Sequence, residues 1–199
     1  MTGVEREVDF VKEIEKLKTV TRFNRTLDGR FENSAEHSWQ VALVANFFQD
    51  YFPEKLDIGK VTLMLLLHDL GEIYAGDTWV YDTTGKAVSH DKEYLSLQKS
   101  LAVLPIIQGE KFTELRLEFE KGNSPESRYA RIINALVPLI DALVPLINHL
   151  VVSEEGYNPD KLTADRVLAK KAFIKEDSEI LWQLAKELIE KSVEKGLYD

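Results

Sequence analysis

The chain has 199 residues, with 34 acidic against 25 basic side chains, a formal net charge of −9, four histidines and no cysteine. At roughly 150 residues per domain this predicts one generous domain whose core needs no covalent staples. The lack of cysteine excludes a disulfide scaffold, a thiolate zinc site and a cysteine nucleophile, and the acidic balance opposes binding to nucleic acid, where neutralisation of phosphates by Lys and Arg supplies most of the affinity.

Apolar residues recur at three- and four-residue steps almost throughout and no alternating strand run stands out, so the pattern predicts an all-α bundle of about seven or eight helices. Residues 1–7 lack the apolar stretch of a secretory signal, which points to the cytoplasm. The first helix is expected near Val8 to Val20, followed by a polar stretch containing Arg22, Arg25, Asp28, Gly29 and Arg30. Asn33 with Glu36 three residues on reads as a capping box, with Ser34 as the other candidate cap, for a helix running to about Tyr51 and stopped by Pro53. Asp57 opens a third helix, apolar nearly all round from Val61 to Leu67 and therefore central, that ends near Gly71 to Gly76. Residues 77–89 read as turn-like because Asp82, Thr83, Thr84 and Gly85 stand together.

Further helices are expected over His90 to Val103, Gly109 to Lys121, Pro125 to Val152 and Ala164 to Glu194, the last breaking near Glu176 to Ser178. Ser124-Pro125-Glu126 supplies a cap, a proline at the first helical position and an early acid. Residues 132–152 are apolar over about the length a bilayer needs, yet they carry Asp141, His149 and two prolines, so a buried helix is expected and no membrane span. The motif-bearing core is placed at about 8–152 and the C-terminal helices at about 163–195. One short repeat occurs: Asn134-Ala-Leu-Val-Pro-Leu-Ile140 is followed at once by Asp141-Ala-Leu-Val-Pro-Leu-Ile147. Seven residues are nearly two helical turns, so the second copy lengthens a helix by about 10 Å while turning its face by only about 20°. It is either an unusual natural helix or a tandem duplication, natural or engineered.

Three groups carry chemistry: Glu36-His37 early in the second helix, His68-Asp69 at the end of the third, and Asp141 in the long later helix. Neighbours on a helix splay about 100° apart, so His68 and Asp69 can share an ion only at the helix end. Two imidazoles and two carboxylates suit Mn, Co, Ni, Fe or Zn and leave positions for water and substrate oxygen. Taken alone, each histidine is as well explained as a hydrogen-bonded core residue.

Arg22-Phe23, the run Arg30-Phe-Glu-Asn-Ser-Ala-Glu-His-Ser-Trp39, the run His68-Asp-Leu-Gly-Glu-Ile-Tyr-Ala-Gly-Asp77 and the helix from Pro125-Glu126 ending in Asp-Ala-Leu together resemble the HD-domain metal-dependent phosphohydrolases, and within them the small group that includes the bacterial 5'-deoxynucleotidases. The resemblance spans about Val8 to Asn148. It implies an all-α fold, one divalent ion, a homodimer and hydrolysis of nucleoside 5'-monophosphates. Residue by residue, it implies His37, His68, Asp69 and a late aspartate as ligands. Counting forward from Pro125-Glu126 puts that late ligand at Asn134; chemistry and the downstream sequence favour Asp141, with the extra heptad taken up by a longer or bulged helix. The resemblance further implies Asp77 as general acid or orienter of the nucleophile, Glu72 as holder of the water, and Arg22 with Phe23 as substrate contacts, Arg25 and Arg30 being secondary. Without it, Glu72 reads as an acid at a helix end, Asp77 as a turn residue and the arginines as solvated. Trp39 can pack on a sugar or base or belong to the core; Trp79, Tyr81 and Lys86 border the cleft, and His90 and His149 lie outside it. The alternatives are a phosphodiesterase or pyrophosphohydrolase acting on a larger nucleotide, and a metal-stabilised helical module without turnover.

Overall fold

The computed structural model describes residues 2–144 and 162–198, except for the side chains at 83, 84 and 86–88. The α-helices are α1 (Gly3–Ile14), α2 (Ser34–Phe48), α3 (Ile58–Leu67), α4 (Glu72–Ala75), α5 (Thr83–Leu101), α6 (Ile106–Lys121), α7 (Pro125–Asp141), α8 (Ala164–Lys171), α9 (Ile174–Asp177) and α10 (Glu179–Glu194). Setting aside the single turns α4 and α9, eight helices stand among the described residues, as the apolar spacing requires. The break before α10 falls at Ser178, whose hydroxyl accepts from the Leu181 N–H.

Three helix ends show how the sequence sets the boundaries. The Asn33–Glu36 capping box forms reciprocally at the start of α2, which makes Asn33 rather than Ser34 the cap. Asp57 caps α3 by accepting from the Lys60 N–H. Ser124 caps α7, with Pro125 at the first helical position where no N–H is needed.

Among the described residues, the chain departs from an all-helical reading at one place. Residues 21–33 form an antiparallel hairpin, β1 (Thr21–Arg25) with β2 (Phe31–Asn33), in which Thr21 pairs with Asn33 and Arg25 with Phe31. Its tip is Asp28-Gly29, with Gly29 at φ +85°, a conformation that glycine adopts without strain. Helix α5 starts at Thr83 rather than near His90, because Asp82 accepts from the Gly85 N–H at 2.9 Å and so starts a helix where its side chain suggests a loop. Helix α7 stops at Asp141, followed by i→i−3 bonds from Leu143 and Val144, rather than continuing to Val152. Pro145 offers no N–H to the Asp141 carbonyl and disfavours the helical conformation of Val144, which accounts for the stop. The rest of that expected helix, His149 included, lies outside the described residues, among which no helix is long and apolar enough to cross a membrane.

Buried residues form one cluster running from Leu17 to Tyr198. Helices α2, α3 and α7 pack on one another at its centre, through Val41, Val61, Met64, Leu65, Tyr129, Ile132 and Ile133. The Tyr129 hydroxyl donates to the Ala45 carbonyl at 2.6 Å, so its one polar atom is satisfied inside the core. Past the end of α3, the chain turns through Leu70 and Gly71 into α4, against α5. A Cβ at Gly71 would lie 2.7 Å from the Glu93 carbonyl oxygen on α5, so this close approach requires glycine. Gly71→Ala is expected to destabilise the fold by about 1–3 kcal/mol through forced separation of these backbones; a urea midpoint equal to that of the parent chain contradicts it.

Candidate metal centre

His37 lies in the first turn of α2, His68 caps the end of α3 and Asp69 follows it in the turn. All three are buried, and each offers a ligand atom within 4.8 Å of the others. The helix end resolves the splay of adjacent side chains, because His68 and Asp69 stand where the helical geometry lapses. His68 Nδ1 donates to the Leu65 carbonyl at 2.6 Å, which leaves Nε2 as the lone-pair nitrogen; that atom is buried without a hydrogen-bond donor and sits 3.1 Å from Asp69 Oδ1. A buried acceptor aimed at a carboxylate fits a cation between them. The Phe119 ring of α6 packs against His68 at 5.3 Å and closes that side to water.

The acids gather around one guanidinium. Arg22 on β1 places Nη1 3.1 Å from Asp69, 4.0 Å from Glu72 and 3.9 Å from Asp77, and Nε 3.3 Å from Glu32 on β2. The hairpin missing from the helical reading is therefore what carries Arg22 into the site. Glu72 Oε2 accepts from the buried Ser34 hydroxyl at 2.6 Å. Phe23 faces Trp79 with ring centroids 6.4 Å apart, and Trp79 in turn meets Tyr81 edge-on, so an aromatic wall borders the loop after Asp77.

The charges set the protonation states. Burial pushes Glu72 well above the usual carboxylate range, and the charges of Asp69 and Asp77 add to it. Burial likewise raises Glu32 to about 7 against the opposing pull of Arg22. At Asp69 burial also favours the neutral form, but His68, Arg22 and His37 outweigh it and hold the carboxyl below its ordinary value. Burial lowers both His37, together with the charge of Arg22, and His68, so each imidazole is neutral, the form that ligates metals.

The structure brings together His37, His68, Asp69, Glu72, Asp77 and Arg22, with Phe23 alongside. Asp141 lies outside the His37–His68–Asp69 group, its Oδ1 accepting from Gln40 Nε2 at 2.7 Å, while Asn134 Oδ1 stands 2.8 Å from His37 Nε2. The register of α7 explains this. Its start is tied down by the Ser124 cap, by Glu126 accepting from the Asp57 N–H, by Arg128 between Glu54 and Asp177, and by Tyr129 on Ala45. The register of α7 is thus set from its start, which places Asn134 on His37 and leaves Asp141 at the helix end, about 10 Å further along. Arg25 bonds the Gly29 carbonyl and lies over Phe31, and Arg30 pairs with Glu36. His90 is exposed near Glu120, Trp39 is exposed on α2, and the Lys86 side chain is outside the described residues. Glu32 and Ser34 are site residues that pattern reading passes over; the signal for them lies in the Glu32-Asn-Ser34 run before the capping box.

The sequence pattern of the HD domain matches residues 14–182. The 5'-deoxynucleotidase hdd1 of Schizosaccharomyces pombe is 26% identical over 133 residues, covering 64% of this chain and 66% of that protein. The 5'-deoxynucleotidase HDDC2 of Homo sapiens is 24% identical over 131 residues, covering 65% and 63%. The match thus spans just under two thirds of the length of either curated relative. Among solved structures, a predicted metal-dependent phosphohydrolase from Magnetospirillum magnetotacticum superposes with a TM-score of 0.86 at 30% identity, covering 98% of this chain and 95% of that one. A conserved hypothetical protein from Pyrococcus furiosus shares the fold with a TM-score of 0.60 at 20% identity, covering 91% and 98%.

The register of α7 has a direct test. Asn134→Asp adds a charge beside His37 and is expected to tighten Mn²⁺ binding on the order of tenfold, as ligand charge does elsewhere. Asp141→Asn is expected to leave it unchanged. Calorimetric titration in which Asp141→Asn is the variant that loses the metal contradicts the placement.

Proposed function

The chain belongs to the HD domain family, and from that membership and the assembled site we propose that it is a metal-dependent phosphohydrolase releasing inorganic phosphate from deoxynucleoside 5'-monophosphates. The observation that carries this reading is the buried His37, His68 and Asp69 cluster flanked by Arg22, Glu72 and Asp77. The names of the two curated relatives and the superposition on a phosphohydrolase support it.

His37, His68 and Asp69, with the Asn134 amide oxygen at the edge, would hold one divalent transition ion from among Mn, Co, Ni, Fe and Zn. Such an ion withdraws charge from a phosphoryl oxygen and acidifies the water it binds. The chain's own residues do the rest. Arg22 offers its forked guanidinium to the phosphate, exchanging a contact with Asp69 for one with the incoming anion. Phe23 and Trp79 form an apolar wall beside it for the sugar or base. In hydrolysis a water oxygen forms the new bond to phosphorus, the bond to O5' breaks, and O5' departs with a proton. Asp77 supplies that proton or orients the water, and Glu72, fixed by Ser34, holds the water in line.

A small monophosphate suits this site because the cation and Arg22 reverse the sign of the potential only locally in a chain of net charge −9. A homodimer belongs to the same reading: Trp39, Leu43 and Phe47 stand exposed along α2 at four-residue spacing, an apolar stripe that a second copy would cover. So does a cytoplasmic location, where nucleoside monophosphates are made and consumed. One observation favours a second reading, a metal-binding module with impaired turnover: an uncharged amide stands where the family places a carboxylate.

Phosphate release separates the two. The chain loaded with Mn²⁺ or Co²⁺ is expected to free phosphate from deoxyadenosine 5'-monophosphate, and Asp77→Asn to lower kcat by about 10²–10⁴. No release from any nucleoside monophosphate, with metal bound, leaves the second reading in place of the first.

A further inference from the structure

Two buried polar atoms face each other at the edge of the site, His37 Nδ1 and Glu32 Oε2, 3.9 Å apart; neither makes a hydrogen bond, and Glu32 Oε2 is ion-paired with Arg22 Nε at 3.3 Å. His37 is fully buried and Glu32 nearly so. Leaving a buried polar atom unsatisfied costs about 1–3 kcal/mol, so His37 Nδ1 calls for a partner, and the Glu32 carboxylate, with lone pairs to spare beside Arg22, is the acceptor that faces it. The neutral imidazole has one ring proton to place. On Nε2 it serves Asn134 Oδ1 and leaves the Nδ1 lone pair directed at a carboxylate. On Nδ1 it satisfies Glu32 and leaves the Nε2 lone pair facing Asn134 Oδ1 at 2.8 Å, two acceptors that a cation between them would reconcile.

We propose that Glu32 is a positioning residue whose Oε2 accepts the Nδ1 proton of His37, fixing the imidazole tautomer that offers Nε2 to a divalent cation. The inference rests on the metal-centre reading above and adds to it the residue that holds His37. The other imidazole is oriented by a different device, the Leu65 carbonyl on His68 Nδ1. A carboxylate partner differs from a carbonyl in making the imidazole a more basic ligand. Glu32 is itself well anchored: it sits on β2, paired with β1, and the same Oε2 lies 3.3 Å from Arg22 Nε. One side chain therefore couples the ligand histidine on α2 to the arginine on β1. Closing 3.9 Å to hydrogen-bond length takes a shift of about 1 Å, within the reach of side-chain rotation.

The experiment is carried out on the full chain and reads metal binding and ring protonation, so catalytic turnover plays no part in it. Co²⁺ titration is expected to show Glu32→Ala binding about 10–100-fold more weakly than the parent, with Glu32→Gln between them because its amide oxygen still accepts. Long-range ¹H–¹⁵N histidine spectra of the Zn²⁺-loaded parent are expected to show His37 protonated at Nδ1 and metal-bound at Nε2. Metal on Nδ1, or Glu32→Ala binding Co²⁺ within about twofold of the parent, overturns the inference while the metal centre stands. If Glu32→Ala fails to fold, the spectrum of the parent decides alone. A parent chain that takes up no Co²⁺ overturns the metal centre and this inference together; failure to release phosphate touches neither.

Discussion

The interior of this bundle concentrates more negative charge than its own cation balances. Glu32, Asp69, Glu72 and Asp77 surround the single guanidinium of Arg22, and all are largely withdrawn from water. Buried charge is retained only where it is paired, protonated or bound to metal. The shifts divide the acids accordingly: Asp69 stays below its ordinary value beside Arg22, whereas burial drives Glu72 well above the carboxylate range and raises Glu32 to about 7. A dication held by His37, His68 and Asp69 would supply positive charge there, and Arg22, released from part of its load, would be free to meet a phosphate. Metal and substrate binding are in this sense one electrostatic problem, solved by five elements: β1, β2, α2, the end of α3 and α4.

The fourth side of the site is formed by α7. Helix α7 places Asn134 on His37, with Asp141 almost two turns further along on Gln40. Pro138 has no N–H for the Asn134 carbonyl, so the helix is locally loosened at the residue that touches the site. The seven-residue repeat carries Asn at the start of one copy, inside α7, and Asp at the start of the other, at the last residue of that helix.

Much of this was legible from residue patterns. The caps at Asn33, Asp57 and Ser124 fixed three helix starts, and the apolar run from Val61 to Leu67 marked the central helix whose end presents His68 and Asp69. The hairpin was not, because Thr21 to Arg25 carries mostly polar side chains and shows no alternation of buried and exposed positions; only Asp28-Gly29 signals the turn. The start of α5 was hidden for the opposite reason, since Asp82, Thr83, Thr84 and Gly85 serve as well in a cap as in a loop. Asp141 was favoured on ligand chemistry and the downstream sequence, neither of which fixes register; the register of α7 is set by tertiary ties at Glu126, Arg128 and Tyr129 that a linear reading does not see. Glu32 acquires its role only when β2 brings it beside Arg22 and His37.

The central claim is that the acidic interior is built around one divalent ion at His37, His68 and Asp69. Anomalous diffraction from a crystal of this chain grown with Mn²⁺ tests it most directly. The account predicts one strong peak per chain in contact with those three side chains, with Asn134 at its edge. A peak at Asp141 and Gln40, or a His37–His68–Asp69 cluster without one at saturating Mn²⁺, contradicts it.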